Sequence, residues 1–375
     1  MHLGRALELA ERALYTTDPN PRVGCVVADQ DRVLGEGWHV RAGEPHAEVL
    51  ALRAAGTGAR GASVYVTLEP CCHTGRTPPC ADALIAAGVK RVVCCTTDPN
   101  PKVAGGGVDR LRAAGIEVST GMFAQQAQAL NPGFFSRFER GRPYVRLKMA
   151  MTLDGRTAPA AGGQVWISSE ASRADVQTWR ARSSAVLTGS GTVLSDDPRL
   201  DVRLNYGDWV RQPLRVVLDT ELGCPPHAKI FRDGHALVFA AVDARGGGMA
   251  FGGGLADGAP PDEATLRVGF KIERVPRAPG GLDLDAVMAR LAALEVNEVL
   301  LECGARLAGA FVKKGLVDEM VLYVAPSLMG EMAAPLLNLG VDAQQVGAAP
   351  LPTFEFIDTR CVGDDVRLVL TARKH

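Results

Sequence analysis

Two short stretches near the N-terminus constrain this chain more than anything else in it: PHAEVLAL at 45–52 and EPCCHTGRTPPC at 69–80. The second packs three cysteines, a histidine, an arginine and three prolines into twelve residues. That is more candidate ligands than one tetrahedral metal site uses. If Cys71, Cys72, His73 or Cys80 holds a metal with His46, the fold must bring the two stretches together.

The chain has 375 residues, too many for one ordinary core, so two domains are expected. Its formal net charge of −1 gives no global field toward nucleic acid or membrane, although small basic sites for a phosphate remain open. No apolar run approaches the roughly 20 residues that a membrane span needs. The opening MHLGRALELAERALY carries acids and reads as an amphipathic helix, not a signal peptide. A cytoplasmic location is expected, where the nine cysteines would be mostly thiols. An odd count at irregular spacing also argues against a disulfide framework.

The first part alternates helix and strand. Leu3, Ala6, Leu7, Ala10 and Leu14 recur at helical spacing over 2–15. Strands are expected at 23–28, 33–40, 63–68, 91–96 and 116–119. Helices are expected at 46–55, 80–87 (closed by Gly88), 107–114 and 123–131. The segment RFERGRPY (137–144) is polar and turn-rich, which puts a domain boundary near 144 and gives domains 1–144 and 145–375. The second part continues the alternation. Its expected strands lie near 144–151, 185–189, 214–219, 236–241, 297–302, 318–325 and 366–372, with helices at 169–181, 283–294 and 304–315. The Gly/Pro-rich 244–263 is expected to be a mobile surface loop. The fold class is therefore α/β, in two layered domains.

One loop is used twice: TTDPNPRV at 16–23 and TTDPNPKV at 96–103, with different flanks. The prolines hold their neighbours extended, so Asn20 and Asn100 are presented rigidly. Two Asx-type turns are the plain reading. The near-identity of the copies favours a shared pocket.

The pattern H-A-E (His46, Ala47, Glu48), then P-C (Pro70, Cys71), then a further cysteine, is that of zinc nucleobase deaminases: one His and two Cys on the metal, and a Glu that is not a ligand. A zinc held so lowers the pKa of a bound water toward about 7. Glu48, two residues from His46, is placed to move that water's proton. The usual C-x-x-C is absent, since Thr74 stands at that offset from Cys71; the available partner is Cys80. Adjacent Cys71 and Cys72 are poor joint ligands, and His73 remains an alternative. Cys25, Cys94, Cys95, Cys224, Cys303 and Cys361 sit mostly in apolar runs and read as core. Further along, Glu302–Ala310 follows a strand and opens a helix, a geometry that offers N–H groups to a phosphate.

HAEVLAL, VTLEPCCHTGRTPPC and TTDPNPKVAGGG resemble, in order, the RibD family of bifunctional riboflavin-biosynthesis deaminase/reductases. The resemblance continues through LKMAMTLDGRTA (147–158), VWISS (165–169), TVLSDDPRL (192–200) and LLECGARLAGAF (300–311). It implies a cytidine-deaminase-like three-layer first domain. This would carry one zinc on His46, Cys71 and Cys80, with Glu48 as proton shuttle. Asn20, His39, His73, Arg76, Asp98 and Asn100 would line its substrate, a phosphoribosylaminopyrimidine. It also implies a dihydrofolate-reductase-like three-layer second domain that reduces the ribosyl group with NADPH. The cofactor would meet Ala150, Trp166, Thr192, Asp196, Thr220 and the run Gly304, Ala305, Arg306, Leu307, Ala308, Gly309 and Ala310. The substrate would meet Arg180, Leu200, Arg203 and Glu302, the two arginines suiting a phosphate monoester. Asp154 reads as a turn residue near that site. Members often carry G-E-S-x-W where this chain has Gly162–Trp166, so the substrate-contacting serine position falls on Gln164. Such proteins assemble as homo-oligomers through the reductase domain. The readings that compete with this one are a deaminase of another nucleobase fused to an unrelated reductase, and a zinc-stabilised binding protein without activity.

Overall fold

The computed structural model describes residues 1–73, 78–160, 165–204, 210–244, 270–340 and 352–373. The expected loop at 244–263 lies outside them apart from Ala244, as do Arg76 and Gln164. The chain divides into two compact units: Met1–Arg142 with Asp208–Arg211, and Pro143–Gly207 with Gln212–His375.

The first unit runs α1 (His2–Glu11), β1 (Gly24–Asp29), β2 (Arg32–Trp38), α2 (Ala47–Ala55), β3 (Ser63–Val66), α3 (Cys80–Ala87), β4 (Arg91–Cys94), α4 (Gly106–Ala113), β5 (Glu117–Thr120), α5 (Ala124–Leu130) and α6 (Pro132–Arg140). Its sheet has the order β2-β1-β3-β4-β5. β1 pairs antiparallel with β2 and β3, while β3, β4 and β5 are parallel. Side chains alternate across the sheet as a two-residue period requires. Cys25 and Val27 join Val64, Val66, Val92 and Cys94 in a core closed by Ala47 and Ala51 of α2 and Ala81 and Leu84 of α3. Val26 and Ala28 face the other way, onto Ala6 and Leu9 of α1. Helices on both faces make three layers.

Two details depart from expectation. α1 stops at Glu11, so Leu9 and not Leu14 is buried with Leu3, Ala6 and Ala10. Residues 137–140 are helical rather than a turn: they end α6, which Pro132 opens at a position where a missing N–H is harmless. Phe134 and Phe135 anchor α6 in the core, with Phe138 packed edge-on against Phe134 at 5.0 Å between ring centroids.

α2 lies against β2 because Gly35 and Gly37 have no side chain. A Cβ at Gly35 would meet the Ala51 carbonyl at 2.3 Å, and one at Gly37 would meet the Ala47 carbonyl at 2.5 Å. These two glycines set the height of the helix that carries His46 and Glu48.

The second unit runs β6 (Tyr144–Thr152), β7 (Arg156–Ala158), α7 (Glu170–Arg182), β8 (Ala185–Gly189), α8 (Ser190–Asp196), β9 (Leu214–Leu218), β10 (Ala236–Ala241), β11 (Phe270–Val275), β12 (Arg277–Ala278), β13 (Gly281–Leu282), α9 (Leu284–Ala293), β14 (Glu298–Glu302), α10 (Ala305–Lys313), β15 (Glu319–Ala325), β16 (Ala334–Pro335), β17 (Phe354–Val362) and β18 (Asp365–Ala372). Nine strands form one sheet in the order β11-β10-β9-β8-β14-β6-β15-β18-β17. The seven from β11 to β15 are parallel, and β18 and β17 add an antiparallel hairpin at one edge. The central strands are buried along almost their whole length and are mainly apolar, as strands covered on both faces are. Among the described residues no helix is long and apolar enough to cross a membrane.

All nine cysteines are free thiols. Cys25, Cys94, Cys95 and Cys224 are buried, but Cys361 is exposed, contrary to the core reading. It sits on β17, an edge strand with most of its residues in solvent.

Candidate active sites

In the first unit, two helix starts converge on one point. His46 is the N-cap of α2, and Cys80 is the first residue of α3. Cys71 leaves the carboxyl end of β3 and accepts the Cys80 backbone N–H at 3.3 Å. His46 Nδ1 lies 3.2 Å from Cys80 Sγ and 3.6 Å from Cys71 Sγ. One ligand atom from each of the three lies within 4.8 Å of the others, and among the described residues this is the group that could hold a metal. Tetrahedral zinc, at about 2.05 Å from nitrogen and about 2.3 Å from sulfur, requires N···S near 3.6 Å and S···S near 3.8 Å. The cluster fits. Cys72 turns away, its thiol 3.8 Å from the Lys102 carbonyl, and His73 is exposed.

The electrostatics agree with a thiolate at Cys71. Hydrogen bonding from Cys80 and from His46 holds the Cys71 thiol down at about 4, against the opposing effect of burial. The shared proton and burial push the Cys80 thiol far up. The positive ends of α2 and α3 both face the cluster, which favours negative sulfur there. Glu48, in the first turn of α2, is only 3% exposed. Burial raises its carboxyl to about 7. A buried carboxyl that can exist in either protonation state near neutrality suits proton transfer.

The first DPNP loop reaches this cluster through a histidine. Asn20 Nδ2 is 3.1 Å from His39 Nε2, His39 Nδ1 is 3.3 Å from the Pro45 carbonyl, and the His39 ring meets the His46 ring edge-on at 5.1 Å. Burial, then the charge of His46, lowers His39 to about 4. In the second loop Asp98 Oδ1 accepts the Asn100 N–H at 2.8 Å, and Asn100 Oδ1 accepts the Lys102 N–H at 3.1 Å. That loop is thus built from Asx turns. Asp98 is buried and raised to about 7, first by burial and then, among its neighbours, by the charges of Glu69 and Cys71.

In the second unit, the residues singled out from sequence gather at the carboxyl ends of parallel strands, where open α/β sheets bind ligands. Thr192 and Asp196 lie on α8 after β8, Thr220 follows β9, and Glu302 ends β14. Ala150 is near the end of β6, and Gly304 caps α10. The first turn of α10 leaves the N–H groups of Ala305, Arg306 and Leu307 outside the helical ladder. Ala308 is buried in the core, and its N–H is spent on the Gly304 carbonyl. Gly309 serves packing: a Cβ there would meet the Asn338 carbonyl at 1.9 Å. Ala310 and Arg306 are exposed. Trp166 is 68% exposed, with the Arg173 guanidinium 4.9 Å from its ring centroid.

Arg180 and Glu302 form a bidentate pair, Nε–Oε1 at 2.6 Å and Nη2–Oε2 at 3.0 Å, and Arg180 Nη1 also donates to the Asp201 carbonyl. Its fork is therefore engaged, whereas the Arg203 side chain is 53% exposed. Leu200 is buried with φ +52, a left-handed backbone that bulky residues rarely adopt. Asp154 ties two loops, accepting from Thr152 Oγ1 and from the Met329 and Gly330 N–H groups.

Two residues went unread in the sequence. Lys148 on β6 is paired in register with Glu302, its Nζ 3.9 Å from Oε2. Burial pushes its ammonium pKa down, partly offset by Glu302. The other is Glu69, whose carboxylate accepts four backbone N–H groups.

Residues 1–96 match the family model for the cytidine and deoxycytidylate deaminase zinc-binding region, and residues 143–368 match that for the RibD C-terminal domain. The riboflavin biosynthesis protein RibD of Escherichia coli K12 is 46% identical over 98% of both chains. That of Bacillus amyloliquefaciens is 41% identical over 98% of this chain and 94% of its own. The solved structure of Acinetobacter baumannii RibD superposes with a TM-score of 0.88 at 43% identity, over 100% of this chain and 98% of the other. With a His46–Cys71–Cys80 cluster that could hold a metal in one unit and a nine-stranded α/β sheet in the other, the chain belongs to the RibD family of riboflavin biosynthesis: a zinc-dependent deaminase domain followed by an NADPH-dependent reductase domain.

Proposed function

We propose that the chain deaminates 2,5-diamino-6-(5-phosphoribosylamino)pyrimidin-4(3H)-one and then reduces the ribosyl group of the product to ribityl. The observation that carries this reading is the pairing of a His46–Cys71–Cys80 cluster with a buried carboxyl, Glu48, that is not part of it. A purely structural zinc site has no use for such a group.

In this reading residues 1–144 are the deaminase. His46, Cys71 and Cys80 hold the ion, which supplies the acidity that brings a water's pKa toward about 7. Glu48 takes one proton from the attacking water and passes it to the ring nitrogen, then takes the second from the added hydroxyl and passes it to the departing ammonia. Asn20, held by His39, and the Asp98–Asn100 loop orient the pyrimidine, with His73 and Arg76 completing the substrate side.

Residues 145–375 are the reductase. NADPH supplies hydride to the open-chain sugar. Ala150, Trp166, Thr192, Asp196, Thr220 and the start of α10 bind the cofactor, the free N–H groups of Ala305 to Leu307 suiting a phosphate. Arg203 offers an accessible fork for the substrate phosphate. Arg180 keeps Glu302 ionised: burial would raise its pKa, and the charges of Arg180, Lys148 and Arg203 hold it below the usual range. Lys148, Arg180 and Glu302 thus form one charged group against the polar part of the substrate, with the Leu200 backbone and Gln164 as further substrate contacts. The family likeness also supports a cytoplasmic protein that assembles with copies of itself through residues 145–375. The exposed Phe356 and Ile357 on edge strand β17 suit such an assembly.

The test is ammonia release from the diaminopyrimidinone and from cytidine, side by side. Release from the former is expected, with none from cytidine. Turnover of cytidine alone would remove this reading in favour of another nucleobase deaminase.

A further inference from the structure

Glu69 precedes the zinc-ligand loop by one proline and is 3% exposed. Its backbone N–H bonds the Thr96 carbonyl at 3.0 Å, continuing the β3–β4 ladder. Its side chain reaches the other way. Oε2 accepts the N–H groups of Asp98 (3.1 Å) and Gly105 (3.0 Å). Oε1 accepts those of Gly107 (3.0 Å) and Val108 (3.1 Å). The last three belong to the start of α4, where Gly105 takes φ +87 and the successive N–H groups form a nest for an anion. The approach is close enough to need glycine. A Cβ at Gly107 would strike the Pro70 carbonyl at 1.8 Å, and one at Gly106 would sit 2.8 Å from Cys72 Sγ.

We infer that Glu69 is a positioning residue for deamination: its carboxylate fixes the Asp98–Asn100 loop relative to Cys71, and so fixes the substrate side of the pocket relative to the metal. This rests on the reading of Asp98 as a substrate contact. The path is short. Cys71, Pro70 and Glu69 are consecutive, and the next link is the Asp98 N–H itself. A glutamine at 69 retains the shape but has a single acceptor oxygen, so its amide NH2 would confront two N–H donors.

The experiment uses the full-length, zinc-loaded chain with Glu69→Gln, Asp98→Asn and the double variant. Zinc content, deaminase KM and kcat, and NADPH oxidation with the deaminated substrate are read on each. Glu69→Gln is expected to keep its zinc and its reductase activity, and to raise the deaminase KM by about tenfold with kcat within about threefold. Because both changes act at one contact, the double variant is expected to be no worse than the worse single one. Glu69→Asp keeps the charge but shortens the reach, and is expected to raise KM by a smaller factor. It applies the same criteria should Glu69→Gln fail to accumulate. An unchanged KM in Glu69→Gln, or fully multiplicative effects in the double variant, would overturn the inference. So would loss of zinc, because the carboxylate would then be holding the metal loop itself. An unchanged KM in Asp98→Asn would instead remove the premise that Asp98 meets the substrate.

Discussion

Glu48→Gln is expected to lower deaminase kcat/KM by about 10²–10⁴-fold while leaving zinc content and reductase activity unchanged. Glutamine matches the side chain in shape but cannot accept the water's proton. The metal cluster does not depend on it, because His46, Cys71 and Cys80 converge without Glu48. Stability should not suffer either. Burial already pushes this carboxyl up to about 7, so a neutral side chain at the position avoids desolvating a charge. Zinc analysis together with separate assays of the two reactions checks all three points. Deamination within about threefold of the parent would show that the shuttle lies elsewhere.

The largest expected loss of stability comes from Arg146→Met, in the second unit. Arg146 is 1% exposed and lies between two buried carboxylates, Nη1 2.9 Å from Glu298 Oε2 and Nε 2.5 Å from Glu319 Oε1. Trp179 flanks its guanidinium at 5.1 Å, and Tyr144 also donates to Glu319. Methionine fills much of the volume but leaves both carboxylates short of a cation, although Arg182 remains 3.5 Å from Glu298. Breaking such a buried group by removing one partner costs about 3–5 kcal/mol. Denaturant unfolding of the second unit should register that loss. The triple change Arg146→Met, Glu298→Leu, Glu319→Leu should recover most of it, because no buried charge is then stranded. A loss below about 1 kcal/mol for the single change would mean that water screens the pairs as it does on a surface.

The parts of the fold legible in the sequence are those where burial imposes a period. β8 and β10 were expected at the residues where they occur, because strands covered on both faces are mainly apolar runs. β17 was not expected, because FEFIDTRCV is an edge strand whose faces are largely solvated and so carries no burial pattern. α6 was missed because Pro132, Gly133 and a run of charges look like a turn until Phe134 and Phe135 are seen to anchor it. In the deaminase unit the convergence of His46, Cys71 and Cys80 was legible because metal chemistry restricts residue type and spacing. Glu69 was not, since its partners lie 29 to 39 residues away and are backbone groups. Lys148 was hidden for a similar reason. Only the register of β6 against β14 brings it beside Glu302.

The order of the two reactions and the place of the metal can be tested in one measurement: NADPH oxidation by chain stripped of zinc, given either the diaminopyrimidinone or its deaminated product. With His46, Cys71 and Cys80 empty, the deaminated product should still be reduced and the diaminopyrimidinone should not, until zinc is restored. Oxidation of NADPH at equal rates with both compounds in the stripped chain would contradict the account, because the reductase would then act without the deaminase before it.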